Sequence, residues 1–287
     1  MNSTRTPALR TLISAAMAAL SLLAGVAQAQ TSAPTSASLN ATAGPLSVST
    51  SSISSFAARG FGGGTVYYPS TAGSYGVIAM CPGFTATQSS IAWLARRMAS
   101  HGFVVVAMNT NSTLDQPASR ANQLMAALSY AVNSAPSAVR SRIDTSKQAV
   151  AGHSMGGGGS MIAARDNASL KASFPMTPWN TSTSFGSVRV PTMIIGADGD
   201  TVAAVTAHSR PMYASLSSST FKAYGELNSA SHFTPNSTNT PIGRYGVTWM
   251  KRFVDGDTRY SPFLCGSPHE SYATSLVFDR YQQNCPY

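Results

Sequence analysis

The chain has 287 residues, of which 43% are hydrophobic and only 10% are charged. This composition supplies a full hydrophobic core, which excludes a mostly disordered chain and a coiled coil. The 19 Lys and Arg residues against 10 Asp and Glu give a formal net charge of +9. The basic residues are dispersed, with no run longer than two. We therefore expect no nucleic-acid partner, because a nucleic-acid-binding protein concentrates its positive charge on one face.

The first 29 residues have the pattern of a secretory signal peptide. Two arginines precede an apolar stretch from residue 12 to residue 27, and Ala27-Gln28-Ala29 matches a signal-peptidase cleavage site. The alternative is an uncleaved membrane anchor, since the stretch is barely long enough to span a bilayer. Its many alanines favour cleavage. We expect an extracellular protein, with the periplasm as a transit compartment and no membrane association after cleavage.

Residues 30–59 are rich in Ser, Thr and Ala. We expect a loose segment that leads into the first strand and is not a domain of its own. One core domain then extends over residues 60–287. This length suits a single hydrophobic core.

Along the core domain, short apolar runs alternate with amphipathic segments. The runs typical of strands are 65–69, 77–80, 104–108, 148–151, 191–196 and 221–227, the last of which is predicted to be the final strand. Helical spacing of apolar residues follows Ser89 or Ser90 as the predicted N-cap, and it begins again at Pro117 and at Tyr245. This alternation predicts an α/β fold, with a mostly parallel central sheet and helices on both faces.

Gly152-His153-Ser154-Met155-Gly156 fits the pattern G-x-S-x-G. An apolar strand precedes it and a segment compatible with a helix follows, which predicts a tight turn that exposes the Ser154 hydroxyl. The alternative is a Gly-Ser loop without chemistry, because both residue types are common in this chain. A serine hydroxyl is a weak nucleophile at neutral pH, so catalysis requires a base.

His232 is the candidate base. In folds with this turn the chain order is nucleophile, acid, histidine, and His208, His232 and His269 follow Ser154. His208 leaves too little chain for an acid loop, and His269 lies between the last two cysteines. His101 ends a predicted helix, where a positive charge is favoured. A histidine base predicts low activity in acid and higher activity from neutral to alkaline pH.

Four acids lie between the candidate nucleophile and the candidate base, and they are Asp166, Asp198, Asp200 and Glu226. Asp166 falls in the helix after the turn, and Glu226 falls in a strand. Asp198 and Asp200 follow a strand at the carboxyl end of the sheet, where ligands bind in open α/β folds. Chain order alone leaves both of these aspartates as candidates.

The three cysteines fit an exported protein. Cys265 and Cys285 would close a loop of roughly 20 residues, and such a disulfide stabilises a protein by about 3 kcal/mol. Cys81 lies in an apolar run and is expected to be a buried free thiol. A pairing that uses Cys81, and a catalytic role for it, remain as alternatives.

Several longer segments resemble the bacterial cutinases and poly(ethylene terephthalate) hydrolases, which are carboxylesterases of the α/β-hydrolase superfamily. The segments are GGGTVYYP, CPGFTATQSS, HGFVVVAMNTNSTLDQP, GHSMGGGGSM, ELNSASHFTPN and WMKRFVDGDTRYSPFLC. The resemblance implies an α/β-hydrolase catalytic domain over residues 60–287 and a reaction that needs no metal and no other cofactor. The short stretch between Trp179 and Pro191 leaves no room for a lid domain.

The resemblance also implies roles for single residues. Ser154 is then the nucleophile, His232 the general base, and Asp200, rather than Asp198, the acid that orients the base. The backbone N–H groups of Phe84 and Met155 form the oxyanion hole. The substrate-binding residues implied by the resemblance are Phe84, Thr85, His153, Trp179, Val202 and Phe233. For Trp179 the alternative is a half-buried packing residue.

Two departures from the family pattern bear on the substrate. Ala197 precedes Asp198, so the second disulfide of some terephthalate-polyester hydrolases is absent, and His153 and Phe233 resemble the cutinase-like members. We expect a monomeric serine carboxylesterase that cleaves small esters and polyesters, cutin-like, aliphatic and aromatic, through an acyl-enzyme. The alternatives are a small-ester carboxylesterase or triacylglycerol lipase with the same triad and, outside enzymes, an inactive secreted binding protein.

Overall fold

The computed structural model describes residues 32–287. The predicted signal peptide and its cleavage site lie outside the described residues. Within the described range, every helix is too short or too polar to span a bilayer.

A nine-stranded sheet forms the centre of the molecule, with the order β1-β2-β4-β3-β5-β6-β7-β8-β9. The strands are β1 Val48–Ile53, β2 Gly64–Pro69, β3 Tyr75–Cys81, β4 Phe103–Met108, β5 Ile143–His153, β6 Ala172–Met176, β7 Thr192–Ala197, β8 Lys222–Leu227 and β9 Phe278–Gln283. All pairings from β4 to β8 are parallel. The outer strands β1, β2 and β9 pair antiparallel. The prediction of a mostly parallel sheet is confirmed.

Nine α-helices accompany the sheet in the described part of the chain. They are α1 Ser36–Asn40, α2 Ala92–Ser100, α3 Pro117–Asn133, α4 Ser137–Arg140, α5 Met155–Asp166, α6 Ser209–Ser215, α7 Thr240–Phe253, α8 Pro262–Cys265 and α9 Ser267–Glu270. Short 3₁₀ turns cover Gln88–Ile91, Thr234–Asn236 and Thr258–Tyr260. The first of these turns precedes α2, so the α-helix begins at Ala92 and its N-cap is Ile91 rather than Ser89 or Ser90.

Strand β3 illustrates how the sheet separates two hydrophobic cores. Ile78 and Met80 pack in the core that contains α2 and α7, whereas Val77 and Ala79 pack in the core that contains α3 and α5. All four side chains are fully buried. Successive side chains of a strand point to opposite faces, so a strand covered on both sides reads as a continuous apolar run. The predicted helices on both faces are therefore confirmed.

The sequence pattern does not predict three of the strands, which are β1, β6 and β9. Strand β6 contains Pro175, and proline cannot donate a hydrogen bond to a neighbouring strand. Strand β9 has the mostly polar sequence FDRYQQ and an exposed face. It pairs with β8 at the edge of the sheet, so the prediction that residues 221–227 form the last strand is wrong.

The sheet also begins upstream of Gly60, the expected start of the core domain. Strand β1 pairs with β2 along its whole length, from Val48 opposite Pro69 to Ile53 opposite Gly64. Further upstream, Leu39 of α1 is buried in the core. The described part of the Ser/Thr-rich segment therefore contributes regular structure and core contacts.

His101 differs from its expected state. It follows α2 and is 5% exposed. Burial lowers the pKa of His101 to about 3, and the nearby charges of Lys251 and Arg97 act in the same direction. The side chain is therefore neutral at pH 7, and the expectation of a favourable positive charge at this helix end is wrong.

Cys265 and Cys285 form a disulfide, with their Cα atoms 6.0 Å apart. Cys81 is a free, fully buried thiol at the end of β3. Burial raises the pKa of Cys81 to about 11, so the group is a thiol rather than a thiolate at neutral pH. Both cysteine predictions are confirmed.

Candidate active site

The turn between β5 and α5 carries Ser154. Its φ of 55° and ψ of −122° are unusual for a residue with a side chain. A β-carbon at Gly156 would overlap the carbonyl oxygens of Cys81 and Pro82, so only glycine allows α5 to approach the end of β3 this closely. The turn holds the Ser154 side chain at the carboxyl end of the sheet, as the G-x-S-x-G pattern predicts.

Three side chains from different loops meet at this turn. His232 Nε2 lies 2.9 Å from Ser154 Oγ, and His232 Nδ1 lies 2.8 Å from Asp200 Oδ2. The three residues are 3–6% exposed. The aspartate accepts a hydrogen bond from Nδ1, which leaves Nε2 free to accept the proton of the serine hydroxyl.

The carboxylate of Asp200 is held on both of its oxygens. The amides of Val202 and Ala203 donate to Oδ1 at 2.9 and 2.6 Å, while Oδ2 faces His232. Burial alone would raise the pKa of Asp200, but these hydrogen bonds outweigh burial and lower the pKa below its usual value. The carboxylate therefore stays ionised beside His232.

Asp198 has a different set of contacts. Its carboxylate accepts the amides of Gly199, Ser229 and Ala230 at 2.7–2.9 Å, and these bonds lower the pKa of Asp198 against the opposing effect of burial. Asp198 thus joins the loop after β7 to the loop after β8. Of the two aspartates that chain order leaves open, the structure brings Asp200 to the histidine.

The backbone carbonyl of His232 accepts two hydrogen bonds. His153 Nε2 donates at 2.8 Å and Thr177 Oγ1 at 3.1 Å. Because a carbonyl only accepts, His153 must carry its proton on Nε2. Burial lowers the pKa of His153 to about 4, so it is neutral at pH 7. Thr177, which the sequence analysis does not identify, lies just after the unpredicted strand β6.

The loop after β3 passes directly over the nucleophile turn. A β-carbon at Gly83 would lie 3.1 Å from Ser154 Cβ and 3.0 Å from His153 Nδ1. Phe84 is the residue after Gly83, so its backbone N–H group lies next to this contact in the chain. Met155 is the first residue of α5, where helix N–H groups lack acceptors within the helix. The Phe84 amide is therefore one residue beyond the close approach of Gly83 to Ser154, and the Met155 amide directly follows Ser154 in the chain.

An open cavity of about 350 Å³ lies over Ser154. Its walls are Phe84, Thr85, Ala86, His153, Ser154, Val202, His232, Phe233 and Asn236. Phe84, Val202 and Phe233 are each about half exposed, which gives the rim an apolar surface. Five of the six predicted substrate-binding residues lie in this wall.

Trp179, the sixth predicted substrate-binding residue, is next to the cavity and outside its wall. Its amide donates to the carbonyl of Ser154 at 3.0 Å, and its ring packs on His208 with the ring centres 5.9 Å apart. His269 contacts the Tyr245 hydroxyl at 2.8 Å. Neither of these two histidines competes with His232 for Ser154.

In the described part of the chain, no three His, Cys, Asp or Glu side chains are grouped so that they could hold a metal ion.

Comparisons with known proteins agree with this geometry. A family model described as PET hydrolase-like matches residues 24–286. Cutinase 2 of Thermobifida cellulosilytica is 56% identical over 254 residues, which cover 88% of this chain and 96% of the cutinase. Cutinase cut1 of Thermobifida fusca is also 56% identical over 254 residues, with 88% and 79% covered. Bis(hydroxyethyl) terephthalate hydrolase of Streptomyces coelicolor is 52% identical over 257 residues, with 89% and 81% covered. Because the family model spans nearly the whole chain and these relatives share more than half of the aligned residues, the chain belongs to the PET hydrolase-like family of α/β-hydrolases.

Proposed function

We propose that this protein is a secreted serine esterase that hydrolyses polyesters through an acyl-enzyme, with Ser154, His232 and Asp200 as its catalytic triad. The observation that carries the proposal is the continuous hydrogen-bonded path from Ser154 Oγ through His232 to Asp200 at the floor of an open apolar cavity. Three side chains far apart in sequence meet here with the contacts that acyl transfer requires.

The reaction begins when Ser154 Oγ attacks the ester carbonyl carbon and its proton passes to His232 Nε2. The negative charge on the tetrahedral oxygen is stabilised by the amides of Phe84 and Met155. Asp200 stabilises the imidazolium that forms. His232 then returns the proton to the leaving alcohol as the ester bond breaks, and the acyl group stays on Ser154. Water attacks the acyl-enzyme by the same route and releases the acid.

The shape of the cavity supports a polymer as substrate. The stretch from Asn180 to Pro191 is short, and its Phe185, Val188 and Val190 are buried in the core, which leaves the cavity uncovered. The exposed rim side chains give a long apolar chain a surface to lie on. The names of the relatives, cutinase and bis(hydroxyethyl) terephthalate hydrolase, extend the proposal to cutin-like and terephthalate esters. The signal-peptide pattern supports export.

The test is product analysis after the protein acts on cutin, an aliphatic polyester film and a poly(ethylene terephthalate) film. Ser154→Ala is the control, and we expect it to fold normally and to lose activity by about 10⁶-fold. Soluble acids and alcohols released by the wild type alone support the proposal. Activity confined to soluble p-nitrophenyl esters would instead indicate a small-ester carboxylesterase.

Hydrolysis rates on emulsified short triglycerides distinguish the polyesterase from the lipase alternative. An open cavity predicts no jump in rate at their solubility limit, whereas a covered lipase site would show one. A serine-reactive phosphonate distinguishes the binding-protein alternative, because an intact triad is expected to become labelled at Ser154. Absence of labelling in folded protein would contradict the proposal.

A further inference from the structure

Arg120 is a buried cation beneath the active site. It lies in the first turns of α3 and is 0% exposed. None of the ion pairs in the described residues includes it. A buried charge without a carboxylate partner is strongly destabilising unless hydrogen bonds satisfy it. Its retention at this position therefore needs an explanation.

All three nitrogens of the guanidinium donate to backbone carbonyls. Nη1 donates to Pro82 O at 3.0 Å, Nη2 to Thr113 O at 2.9 Å, and Nε to Asp115 O at 2.6 Å. Pro82 belongs to the loop after β3, and the other two residues belong to the loop after β4. One planar group thus joins two loops at the carboxyl end of the sheet.

The hydrogen bonds of Arg120 connect it to the loop that carries the Phe84 amide, one of the two proposed oxyanion donors. The Thr113 carbonyl that Arg120 binds also accepts the amide of Thr85 at 2.9 Å. Arg120 therefore reaches the oxyanion loop, residues 82–85, on both sides of Phe84. It binds Pro82 O before Phe84, and through Thr113 it restrains the amide of Thr85 after it. The intervening Gly83 packs against Ser154.

We propose that Arg120 is the positioning residue of the oxyanion hole and holds the Phe84 amide in the orientation that the tetrahedral oxygen requires. An arginine suits this role because its donors form a rigid fork, whereas a lysine offers a single rotatable ammonium. Its positive charge, which forms no ion pair among the described residues, also adds positive potential beside the oxyanion loop that it binds. The inference rests on the proposed esterase function.

The chain offers a matched control. Arg97 is 1% exposed and lies on α2, in the core on the other face of the sheet. Its Nη2 donates to the carbonyl of Leu39 at 2.5 Å, and Leu39 belongs to α1 rather than to the oxyanion loop. Substitution of Arg97 therefore removes a buried cation and its hydrogen bond to a carbonyl without touching the oxyanion loop.

The experiment compares Arg120→Lys and Arg120→Gln with Arg97→Lys and Arg97→Gln. For each variant, kcat and KM are measured on a soluble p-nitrophenyl ester, well below its unfolding midpoint. Rates are expressed per serine titrated to completion with a phosphonate, so that only folded enzyme counts. The rate of phosphonylation is a second readout, because it also develops negative charge in the oxyanion hole.

We expect Arg120→Gln to lower kcat and the phosphonylation rate together by about 10- to 100-fold, less than the 10²–10³ lost with a whole donor. KM should stay within threefold, because the oxyanion hole acts mainly in the transition state. Arg120→Lys should fall between Arg120→Gln and the wild type. The Arg97 variants should have lower unfolding midpoints and an unchanged kcat.

A kcat within twofold of the wild type in Arg120→Gln, or a rise in KM alone, would overturn the proposal. A loss of kcat of the same size in the Arg97 variants would also overturn it, by assigning the effect to lost stability. If Arg120→Gln does not fold, Arg120→Lys decides by the same criteria. A wild type that neither hydrolyses esters nor reacts with the phosphonate would instead refute the proposed function.

Discussion

The carboxyl end of the sheet and the flank formed by α1, α2 and α7 both bury polar side chains, with different results. At the carboxyl end, the atoms of the triad lead from one to the next, from Ser154 through His232 to Asp200, although His153 Nδ1 beside them has no hydrogen-bond partner in the described part of the chain. On the flank, Arg97 Nε and Nη1, Arg244 Nε and His101 Nε2 have no hydrogen-bond partner among the described residues. Burial of polar groups therefore does not by itself mark a functional site. A functional site is marked by hydrogen bonds that connect its side chains one after another, as in the path from Ser154 to Asp200.

The largest expected effect comes from replacing each of the two aspartates, Asp200 and Asp198, by asparagine in turn. We expect Asp200→Asn to lower kcat by about 10⁴-fold, because an amide neither stabilises the imidazolium nor fixes the correct tautomer. Asp198→Asn should lower kcat by less than about tenfold, because the oxygen of the asparagine amide still accepts hydrogen bonds from backbone N–H groups. Steady-state kinetics on a soluble ester measures both. Equal losses in the two variants would contradict the assignment of Asp200.

Removal of the disulfide between Cys265 and Cys285 is expected to lower the free energy of unfolding and to leave kcat unchanged. The double variant Cys265→Ser/Cys285→Ser opens a loop with a sequence separation of 20, which should lower the free energy of unfolding by about 3 kcal/mol. Urea denaturation measures this loss, and kcat below the unfolding transition should not change. A large loss of kcat in folded protein would mean that the C-terminal segment supports the catalytic loops.

His101 on the flank predicts a pH dependence of stability. Its pKa is about 3 in the folded state, against about 6.5 in an unfolded chain, so the unfolded state binds more protons between these values. Stability should therefore fall as the pH falls from about 6.5 towards 3, with a contribution of up to about 1.4 kcal/mol per pH unit. Chemical denaturation at several pH values should show a shallower slope in His101→Gln. If His101→Gln leaves the dependence of the unfolding free energy on pH unchanged, His101 is not its source.

The smallest expected effect concerns the two hydrogen bonds on the carbonyl of His232. Thr177→Val keeps the shape of the side chain and removes one of them, so kcat should fall about fivefold, the equivalent of roughly 1 kcal/mol. KM should not change, and Thr177→Ser should restore most of the rate. A variant with valine that retains full kcat would show that His153 alone holds the carbonyl.

The sequence was sufficient for features that depend on local pattern. The apolar runs of the buried strands, the glycines around Ser154 and the position of His232 after a strand are all visible in short segments, because each reflects the periodicity or steric demand of one element. The export signal and the spacing of Cys265 and Cys285 favoured the disulfide, but only the structure excluded a pairing that uses Cys81. Strands β6 and β9 were not predictable, since Pro175 and the polar edge residues hide the strand pattern.

Tertiary structure decided the contacts between distant segments. Chain order left Asp198 and Asp200 equivalent, and the family resemblance alone favoured Asp200. The packing of the loops after β7 and β8 brings Asp200 to His232, while Asp198 binds backbone amides. Arg120 and Thr177 left no signal in the sequence. Arg120 binds the carbonyl of Pro82, 38 residues away, and Thr177 binds that of His232, 55 residues away. Because every residue has a carbonyl, no side-chain pattern records which one they bind.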